Sequence, residues 1–556
     1  MPADTSAPRL PSQPVSIHGR DTRGLEAGAI PGMGYGRYGR MFNFQGRLLT
    51  DPCLRAIAKS MTKVDFGKPI TAPEPVDENP TIPAGYTYFG QFIDHDLTLD
   101  PTPLSVKDAD VAALEDFRTP AFDLDCIYGR GPDDQPYMYD GLKLRVGKAL
   151  DAGAGAVRSK TDVLRLPVSD TLQPAILGDK RNDENRIVCQ IQAAFIAFHN
   201  KVVDDPALIA AFDGDFSDNT SRFRTAVRIT RWHYQWLVVN DFLKRLLSPD
   251  ALAELMPANA PPKIDDYLRP NAQYAYVPVE FAGAAYRFGH SMVRPSYALN
   301  SLVGVGPATP TTSGRIPIFS RDPDPRKNLN GFGAPLPSDW GIDWSFFLDH
   351  VTKTAGNFQI PQQSYRIDAN LVDALADLPE FFNQPSPLGQ LAYRNLARGV
   401  VNLRLPSGEQ AANAFGLTPM TPDQLWKGAG SRLLDPAKLG ETKADYDDVI
   451  ARRKVVFDAF VDHGGELKGA TPLWYYILRE AEYYGVGRVA EKPADGEWGG
   501  QFLGPVGSRI VGQTFLGMLW SDDSSYLRRH RNFTPAAPIA DNAPFTLGRL
   551  VTWALT

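Results

Sequence analysis

The stretch AGYTYFGQFIDHDLTL, residues 84–99, is the part of the sequence from which the fold can be inferred. It follows a proline and contains none, so it can form a short helix. In a helix Gln91, Asp94 and His95 share one face, because residues three and four apart are neighbours. Asp96 then projects to a different side. The segment therefore offers a histidine to one partner and a carboxylate to another.

The alternating acids from Asp94 onward suggest a comparison with the calcium-binding EF-hand loop. That loop needs Gly at its sixth position and Glu at its twelfth. Counted from Asp94, these positions hold Leu99 and Ser105. The sequence therefore excludes an EF-hand, and a solvated acidic helix face is the plain alternative.

Four later segments also concentrate residues that could carry chemistry. They are RTPAFDLDCIYG (118–129), GDKRNDENR (178–186), YRFGHSMVRP (286–295) and YRNLARGVVNLRLPSG (393–408). In the first, Thr119, Asp123 and Asp125 have the alternating spacing with which an extended loop binds a hard cation. Each segment also has an ordinary interpretation. Surface loops often carry DxD, acids near a helix start complement its dipole, and a lone histidine usually belongs to the core.

Composition limits the possible classes of protein. The chain has 556 residues, 43% of them hydrophobic, and its 47 prolines and 48 glycines predict long irregular connections. A net charge of −6 disfavours a nucleic-acid partner. Three cysteines without a CxxC pair indicate neither a disulfide framework nor a zinc site. Without a visible signal peptide or transmembrane segment, we expect a soluble protein that is cytoplasmic or exported by a leaderless route.

Helical spacing of apolar residues dominates the rest of the chain. Predicted helices cover residues 185–205, 222–247, 344–353, 388–405, 445–463, 473–485 and 508–520, with a helical island at 271–293. No strand-alternating series and no repeat is present. We predict a mainly α fold with very little β. An extended N-terminal arm over residues 1–80 packs on the body, and residues 81–556 form one large domain.

Taken in order, the five segments resemble the motifs of the animal-type haem peroxidases, members of the peroxidase–cyclooxygenase superfamily. FGQFIDHD (89–96) is similar to the distal helix of that family, and the next three segments are similar to its calcium loop, arginine segment and proximal segment. The fifth resembles the stretch that supports the proximal side. The resemblance spans roughly residues 30–535 and is nearer to bacterial members than to vertebrate ones. It implies a single helical haem-peroxidase domain.

The resemblance implies a role for each matching residue. His95 becomes the distal acid–base group with Gln91 beside it, and Arg181 the cation that stabilises charge on the departing oxygen of peroxide. His290 becomes the proximal iron ligand, and Asn395 the partner of its other ring nitrogen. The implied activity is reduction of hydrogen peroxide and oxidation of a small donor, such as a halide, thiocyanate or a phenolic compound, through a ferryl intermediate.

The resemblance also implies a calcium site and a covalently held cofactor. The implied calcium ligands are Asp96, Thr119, the carbonyl of Ala121, Asp123 and Asp125. Asp125 stands where vertebrate enzymes often have Ser, and its added charge is expected to tighten the site. Asp94 and Glu184 match the positions that form ester bonds to haem b in the family.

Three alternatives to a peroxidase remain open. Cyclooxygenases and haem-dependent fatty-acid dioxygenases of the same superfamily use a tyrosine three residues before the proximal histidine. Here that position is Arg287, and Tyr286 lies four before, which favours a peroxidase. A catalytically silent binding scaffold would have no need of both His95 and His290. A di-metal carboxylate protein would require paired ExxH motifs on helices, which this sequence lacks.

Overall fold

Helices supply most of the secondary structure in the computed structural model, which describes residues 36–62, 78–99, 114–268, 275–305, 314–322, 324–353, 361–383, 386–425, 465–487, 499–536 and 544–556 and a few single positions. The α-helices of these residues are α1 (Asp51–Ser60), α2 (Gly85–Leu97), α3 (Asp125–Tyr128), α4 (Arg186–Val203), α5 (Pro206–Ala211), α6 (Asn219–Leu237), α7 (Leu243–Leu246), α8 (Pro249–Leu255), α9 (Asp265–Leu268), α10 (Val279–Gly283), α11 (Leu391–Ala397), α12 (Gly408–Ala414), α13 (Pro422–Leu425), α14 (Leu473–Tyr484), α15 (Pro505–Ser521), α16 (Tyr526–Arg529) and α17 (Leu547–Leu555).

The strands are short and pair in sheets of two or three strands. They are β1 (Gly36–Gly39), β2 (Glu78–Pro83), β3 (Glu115–Asp116), β4 (Tyr139–Asp140), β5 (Lys143–Leu144), β6 (Val146–Ala149), β7 (Thr161–Val163), β8 (Val277–Pro278), β9 (Ser296–Tyr297), β10 (Ile316–Pro317) and β11 (Gln363–Tyr365). In the three-stranded sheet β1 lies between β3 and β8, antiparallel to the first and parallel to the second. The mainly α fold predicted from the sequence is confirmed.

Helix α2 is fixed in the core by a layer of aromatic rings. Phe92 of α2 stacks on Phe195 of α4 with ring centroids 5.2 Å apart, and Tyr234 of α6 packs edge-on against Phe92 at 6.0 Å. Phe89, one turn earlier, stacks on the same ring of α4 at 6.1 Å. All four side chains are fully buried, and buried aromatic pairs contribute more than their area alone. This layer sets the position of the C-terminal turn of α2.

Helix α6 continues into a π-helical turn over Val238–Phe242 before α7. Asp241 in this turn accepts hydrogen bonds from the Tyr86 hydroxyl at 2.6 Å, from Nε of Arg245 at 2.7 Å and from the backbone N–H of Leu547 at 2.9 Å. The turn therefore brings α2, α7 and α17 to one buried carboxylate. The single helix predicted over residues 222–247 is confirmed with this irregularity in it.

The other predicted helices have mixed outcomes. Residues 185–205, 388–405, 473–485 and 508–520 contain α4, α11 with a π-helical turn, α14 and α15. The helix predicted over residues 344–353 is wrong, since only a 3-10 turn, Trp344–Phe346, forms there. The side chains of Trp344, Phe346 and Phe347 are buried, so contacts in the core determine the backbone conformation of this turn. The island at 271–293 contains β8, α10 and a 3-10 helix, Ala285–His290, and most of 445–463 lies outside the described residues.

Residues 36–62, the longest described part of the predicted N-terminal arm, contain β1 and α1. Strand β1 pairs with strands of the body, and α1 lies against α11. The division at residue 80 stays a prediction. No helix among the described residues is both long enough and apolar enough to cross a membrane.

Candidate active site

His95 lies near the end of α2 with both ring nitrogens close to polar partners. Nδ1 is 2.8 Å from Oδ1 of Asn182, and Nε2 is 3.9 Å from Oε1 of Glu184. The ring is buried, and burial and the charge of Arg181 lower the pKa of His95 to about 3. The imidazole is therefore neutral at neutral pH.

The partners of Asn182 determine which nitrogen of His95 carries the proton. Nδ2 of Asn182 donates to Oε1 of Gln192 at 2.8 Å, and Nε2 of Gln192 donates to the carbonyl of Cys126 at 2.9 Å. Since that carbonyl can only accept, Asn182 presents its oxygen to the imidazole. Nδ1 of His95 therefore donates, and Nε2 carries a free lone pair.

Gln91 and Glu184 complete this side of the site. Nε2 of Gln91 donates to Oε1 of Glu184, the same oxygen that faces His95. Burial raises the pKa of Glu184 to about 7, against the opposing effect of Arg181. Asp94, on the same face of α2, accepts a hydrogen bond from the Thr98 hydroxyl at 3.1 Å, and burial raises its pKa as well. The predicted common face of Gln91, Asp94 and His95 is therefore observed.

Arg181 is held by a carboxylate and by the backbone of α2. Nε and one terminal nitrogen of Arg181 donate to the buried Asp179 at 3.2 and 2.7 Å, and the same terminal nitrogen donates to the His95 carbonyl at 3.1 Å. The pKa of Arg181 is raised by Asp179, although burial opposes this. The guanidinium is a fixed cation beside the histidine, of the type that stabilises a developing negative charge.

His290 ends the 3-10 helix Ala285–His290, and its Nδ1 faces the amide of Asn395 at 3.1 Å. Arg287 donates to Oδ1 of the same amide at 3.0 Å, which leaves Nδ2 to donate to Nδ1 of His290. Burial and the charges of Arg287 and Arg394 lower the pKa of His290 to about 3. The predicted pairing of His290 with Asn395 is observed, with the ring proton on Nε2 in this orientation of the amide.

The two histidine-bearing elements are in contact. The Tyr286 hydroxyl donates to the carbonyl of Gly90 on α2 at 3.1 Å, and its ring stacks on Phe281 with centroids 4.7 Å apart. The charge of Asp94 contributes to raising the pKa of Tyr286, although burial is the larger cause. Tyr286 therefore ties α2 to the segment that ends in His290.

The residues between the two histidines fit a haem. Glu184 is 34% accessible although burial shifts its pKa, so it lines an internal cleft. Beside His290, apart from the glycine's own neighbours in the chain and in its helical turn, no described atom lies within 4 Å of the place where a Cβ on Gly289 would stand. Arg287 is half-buried, and its pKa is lowered to about 9, by desolvation first and then by the charges of Arg398 and Arg394. A neutral imidazole can ligate haem iron, and a half-buried guanidinium such as that of Arg287 can pair with a haem carboxylate.

A second cluster of ligands lies on the other side of α2, in the segment from Thr119 to Cys126, here called the cation loop. Oxygen atoms of Asp96, Asp123 and Asp125 lie within 4.8 Å of one another. One oxygen of Asp96 and one of Asp125 are buried and have no hydrogen-bond partner among the described residues. Burial raises the pKa of Asp96, and the two neighbouring carboxylates raise it further. Hard oxygen donors and mutually repelling charges fit a bound calcium ion.

The loop backbone directs these oxygens to one place. Leu124 between the two aspartates has a positive φ of 59° and is fully buried. The Thr119 hydroxyl donates to Asp123 at 2.8 Å, so its lone pairs are not used by that bond. Arg118 pairs with Asp125 at 3.1 Å, so the charge that Asp125 adds to the loop is shared with a guanidinium.

Sequence reasoning missed four residues that contact the predicted groups. Asn182 and Asp179 lie within the quoted segment GDKRNDENR but were indistinguishable there from ordinary polar residues at a helix start. Gln192 reaches the site from α4. Arg118, which directly precedes the cation loop, reaches it by pairing with Asp179. No spacing could have joined Gln192 to Asn182, because Asn182 lies in the 3-10 helix Lys180–Asp183 and Gln192 in α4.

Comparison with known families identifies the central part of the chain. Residues 117–316 match the animal haem peroxidase family. Over these residues the match confirms the resemblance inferred from the motifs, and the matched range includes the cation loop, Arg181, Glu184 and His290. Helix α2 and Asn395 lie outside the matched range, and the fold brings them to it. No curated protein matches the chain in a sequence comparison.

Solved structures share the fold over nearly the whole chain. Peroxidase A from Dictyostelium discoideum superposes with a TM-score of 0.53 at 14% identity, over 94% of this chain and 93% of that one. A fatty acid alpha-dioxygenase variant from Oryza sativa, solved with palmitic acid, gives a TM-score of 0.50 at 14% identity, over 92% of this chain and 78% of that one. The chain thus has the haem peroxidase fold, which peroxidases and dioxygenases share.

Proposed function

We propose that this protein is a haem peroxidase that reduces hydrogen peroxide and oxidises a small electron donor. The observation that carries the proposal is a pair of histidines on contacting elements, each with Nδ1 beside a buried asparagine. His95 and Asn182 form one pair, and His290 and Asn395 the other. In this proposal, His290 would ligate iron and His95 would transfer a proton.

On the distal side, the residues are arranged for proton transfer. Nε2 of His95 has a free lone pair and would take a proton from the near oxygen of hydrogen peroxide and return it to the far oxygen. Arg181, fixed by Asp179, would stabilise the charge on that departing oxygen. Gln91 and Glu184 border the space in front of Nε2 and would orient the bound peroxide.

On the proximal side, His290 would hold the iron through Nε2, and bound haem would supply the electrons that cleave the O–O bond. Ligation through Nε2 needs the proton on Nδ1, so the Asn395 amide would turn to present its oxygen. Arg287, which now donates to that oxygen, would then be free to pair with a carboxylate of the haem.

Positions 286 and 287 favour a peroxidase over a fatty-acid dioxygenase. The superfamily's oxygenases carry a tyrosine where this chain has Arg287. Tyr286 is 8% exposed and its hydroxyl is engaged by the Gly90 carbonyl, within an aromatic cluster that includes Phe281 and Phe515. A tyrosine placed in this way is a structural link between two elements.

The visible spectrum and two activity measurements test the proposal. We expect a Soret band and peroxide-dependent oxidation of a phenolic dye. Oxygen uptake with a polyunsaturated fatty acid, without added peroxide, would identify a dioxygenase instead. A protein that stays colourless after haem is added would be a silent scaffold.

We also propose that Asp96, Thr119, the Ala121 carbonyl, Asp123 and Asp125 bind calcium. Because the oxygen atoms of three carboxylates, one of them fully buried, lie close together, the ion would stabilise the folded state and its binding would be coupled to folding. Prolonged chelation is expected to lower the thermal unfolding midpoint, and calcium should restore it. Asp123→Ala should abolish this response, whereas Asp241→Asn, at a buried carboxylate outside the loop, should keep it. Folded, active protein that contains no calcium would contradict the assignment.

The haem is proposed to be esterified through Asp94 and Glu184. In each ester a carboxylate oxygen would bond to a haem methyl carbon, which loses one proton and two electrons, and hydrogen peroxide would accept the electrons. Glu184 accepts a hydrogen bond from Gln91 and faces Nε2 of His95, and the charge of Asp94 contributes to raising the pKa of Glu184, so the two carboxyl groups are close enough to interact.

After peroxide turnover, haem is expected to stay with the wild-type chain in acidic organic solvent. The double variant Asp94→Val, Glu184→Val should release it, as should wild-type protein never exposed to peroxide. A third, sulfonium link is not expected, because Asn185 has no thioether and caps α4 by accepting from the Ile187 N–H at 2.8 Å. Complete extraction of haem after turnover would refute the esters and leave the peroxidase proposal intact.

A further inference from the structure

A chain of buried amide groups connects His95 to the cation loop. Nδ1 of His95 donates to Asn182 at 2.8 Å, Asn182 donates to Gln192 at 2.8 Å, and Gln192 donates to the carbonyl of Cys126 at 2.9 Å. Asn182 and Gln192 are fully buried. Because every group in the chain has a fixed donor or acceptor role, the carbonyl of the loop determines the tautomer of the histidine.

A second, charged connection joins Arg181 to the same loop. Arg118 pairs with Asp125 at 3.1 Å through one terminal nitrogen and with Asp179 at 2.7 Å through the other. Asp179 in turn holds Arg181 at 2.7 Å. Arg118 thus bridges two carboxylates, and because its guanidinium is planar, the two contacts fix direction as well as distance.

The backbones of the two segments are also in direct contact. A Cβ on Gly178 would stand 2.1 Å from the carbonyl oxygen of Asp125 and 2.7 Å from that of Cys126, so only glycine fits there. Arg118 closes the same contact by donating to the Gly178 carbonyl at 3.1 Å. The segment 178–184, here called the distal segment, is therefore seated on the cation loop.

We propose that Arg118 and Gln192 are positioning residues that hold the distal arginine and histidine against the cation loop. The two connections leave the loop at consecutive residues, Asp125 and Cys126, so one ordered loop fixes both groups. This proposal rests on the proposed peroxidase function. Beyond that function, we propose that cation binding orders the distal segment through the side chains of Arg118 and Gln192.

The chain contains a matched control for Gln192. Gln235 of α6 is equally buried and also donates from Nε2 to a carbonyl of the cation loop, that of Phe122, at 3.0 Å. Its Oε1 accepts from the backbone of Tyr526, far from both histidines. Gln192→Leu and Gln235→Leu therefore remove equivalent bonds to the loop, and only the first breaks the connection to His95.

The first measurement compares the two steps of turnover in the haem-loaded protein. Gln192→Leu and Arg118→Leu are expected to lower the rate constant for the reaction with peroxide by roughly 10- to 100-fold, as outer partners of site residues commonly do. The rate constant for donor oxidation should be unchanged. Gln235→Leu should change neither. Equal losses in Gln192→Leu and Gln235→Leu would overturn the proposal.

The second measurement is amide hydrogen exchange with calcium and after chelation, which needs no peroxide activity. In wild-type protein, calcium is expected to slow exchange in the cation loop and in the distal segment. In Gln192→Leu and Arg118→Leu the slowing should be confined to the loop, and in Gln235→Leu both segments should slow. Variants that keep slowed exchange in the distal segment would overturn the proposal. The proposal would also be overturned if calcium slowed hydrogen exchange only in the cation loop of the wild-type protein. Since this readout is independent of activity, it separates failure of the connections from failure of the peroxidase function.

Discussion

Haem binding is expected to fail when His290 is replaced by Ala. The neutral ring is held at Nδ1 by Asn395 and borders the open space beside Gly289, which supports the proposal that His290 ligates iron. Without this ligand the Soret band of the reconstituted protein should be lost or strongly shifted. Titration of the purified variant with haem, followed by its visible spectrum, measures the effect.

Two further variants make this result specific. His199→Ala removes a buried imidazole of α4 whose Nδ1 lies 3.1 Å from the Tyr128 hydroxyl. This variant should be less stable, but its Soret band should be unchanged. His290→Gly leaves a gap that added imidazole can fill, and imidazole should restore the band. An unchanged spectrum in His290→Ala would refute the assignment of His290 as the iron ligand. It would also refute the roles that the family resemblance implies for the other site residues.

Much of the site could be predicted because its central groups lie on one short helix. The spacing of Gln91, Asp94 and His95 places them on one face whatever the rest of the fold does. Asp96, one residue further, necessarily faces elsewhere, and it meets Asp123 and Asp125 there. Local geometry was sufficient for the shared face and for the different direction of Asp96, whereas the grouping of Asp96 with Asp123 and Asp125 followed from the resemblance to the animal-type haem peroxidases.

The supporting contacts could not be predicted, because they depend on the packing of distant segments. Gln192 meets the Cys126 carbonyl across 66 residues of sequence, and Arg118 meets Asp179 across 61. A helical glutamine has no sequence signal that separates a relay from a solvated side chain. The same reason explains the wrong helix at 344–353, where aromatic residues at helical spacing serve the core in an irregular backbone.

His95→Ala is expected to lower the rate constant for the reaction with hydrogen peroxide by about 10²- to 10⁴-fold, the usual contribution of a general acid–base group. The variant removes the lone pair on Nε2 that the Asn182 contact leaves free. Haem should stay bound, since His290 is untouched, so the Soret band serves as the internal reference. Stopped-flow mixing with peroxide measures the step directly.

The size of this loss distinguishes proton transfer from packing. His233→Ala removes another buried ring, which interacts with the Ile229 carbonyl at 2.7 Å and lies away from the cleft, and it should leave the peroxide rate constant unchanged. His95→Gln keeps a polar side chain of similar length but supplies no base, so it should be nearly as slow as His95→Ala. If His95→Ala slows the reaction less than about threefold, far below the range for acid–base catalysis, Glu184 becomes the candidate base in protein whose Glu184 carboxyl group is not yet esterified. Its pKa is raised to about 7, and its carboxylate is the other titratable group in front of Nε2.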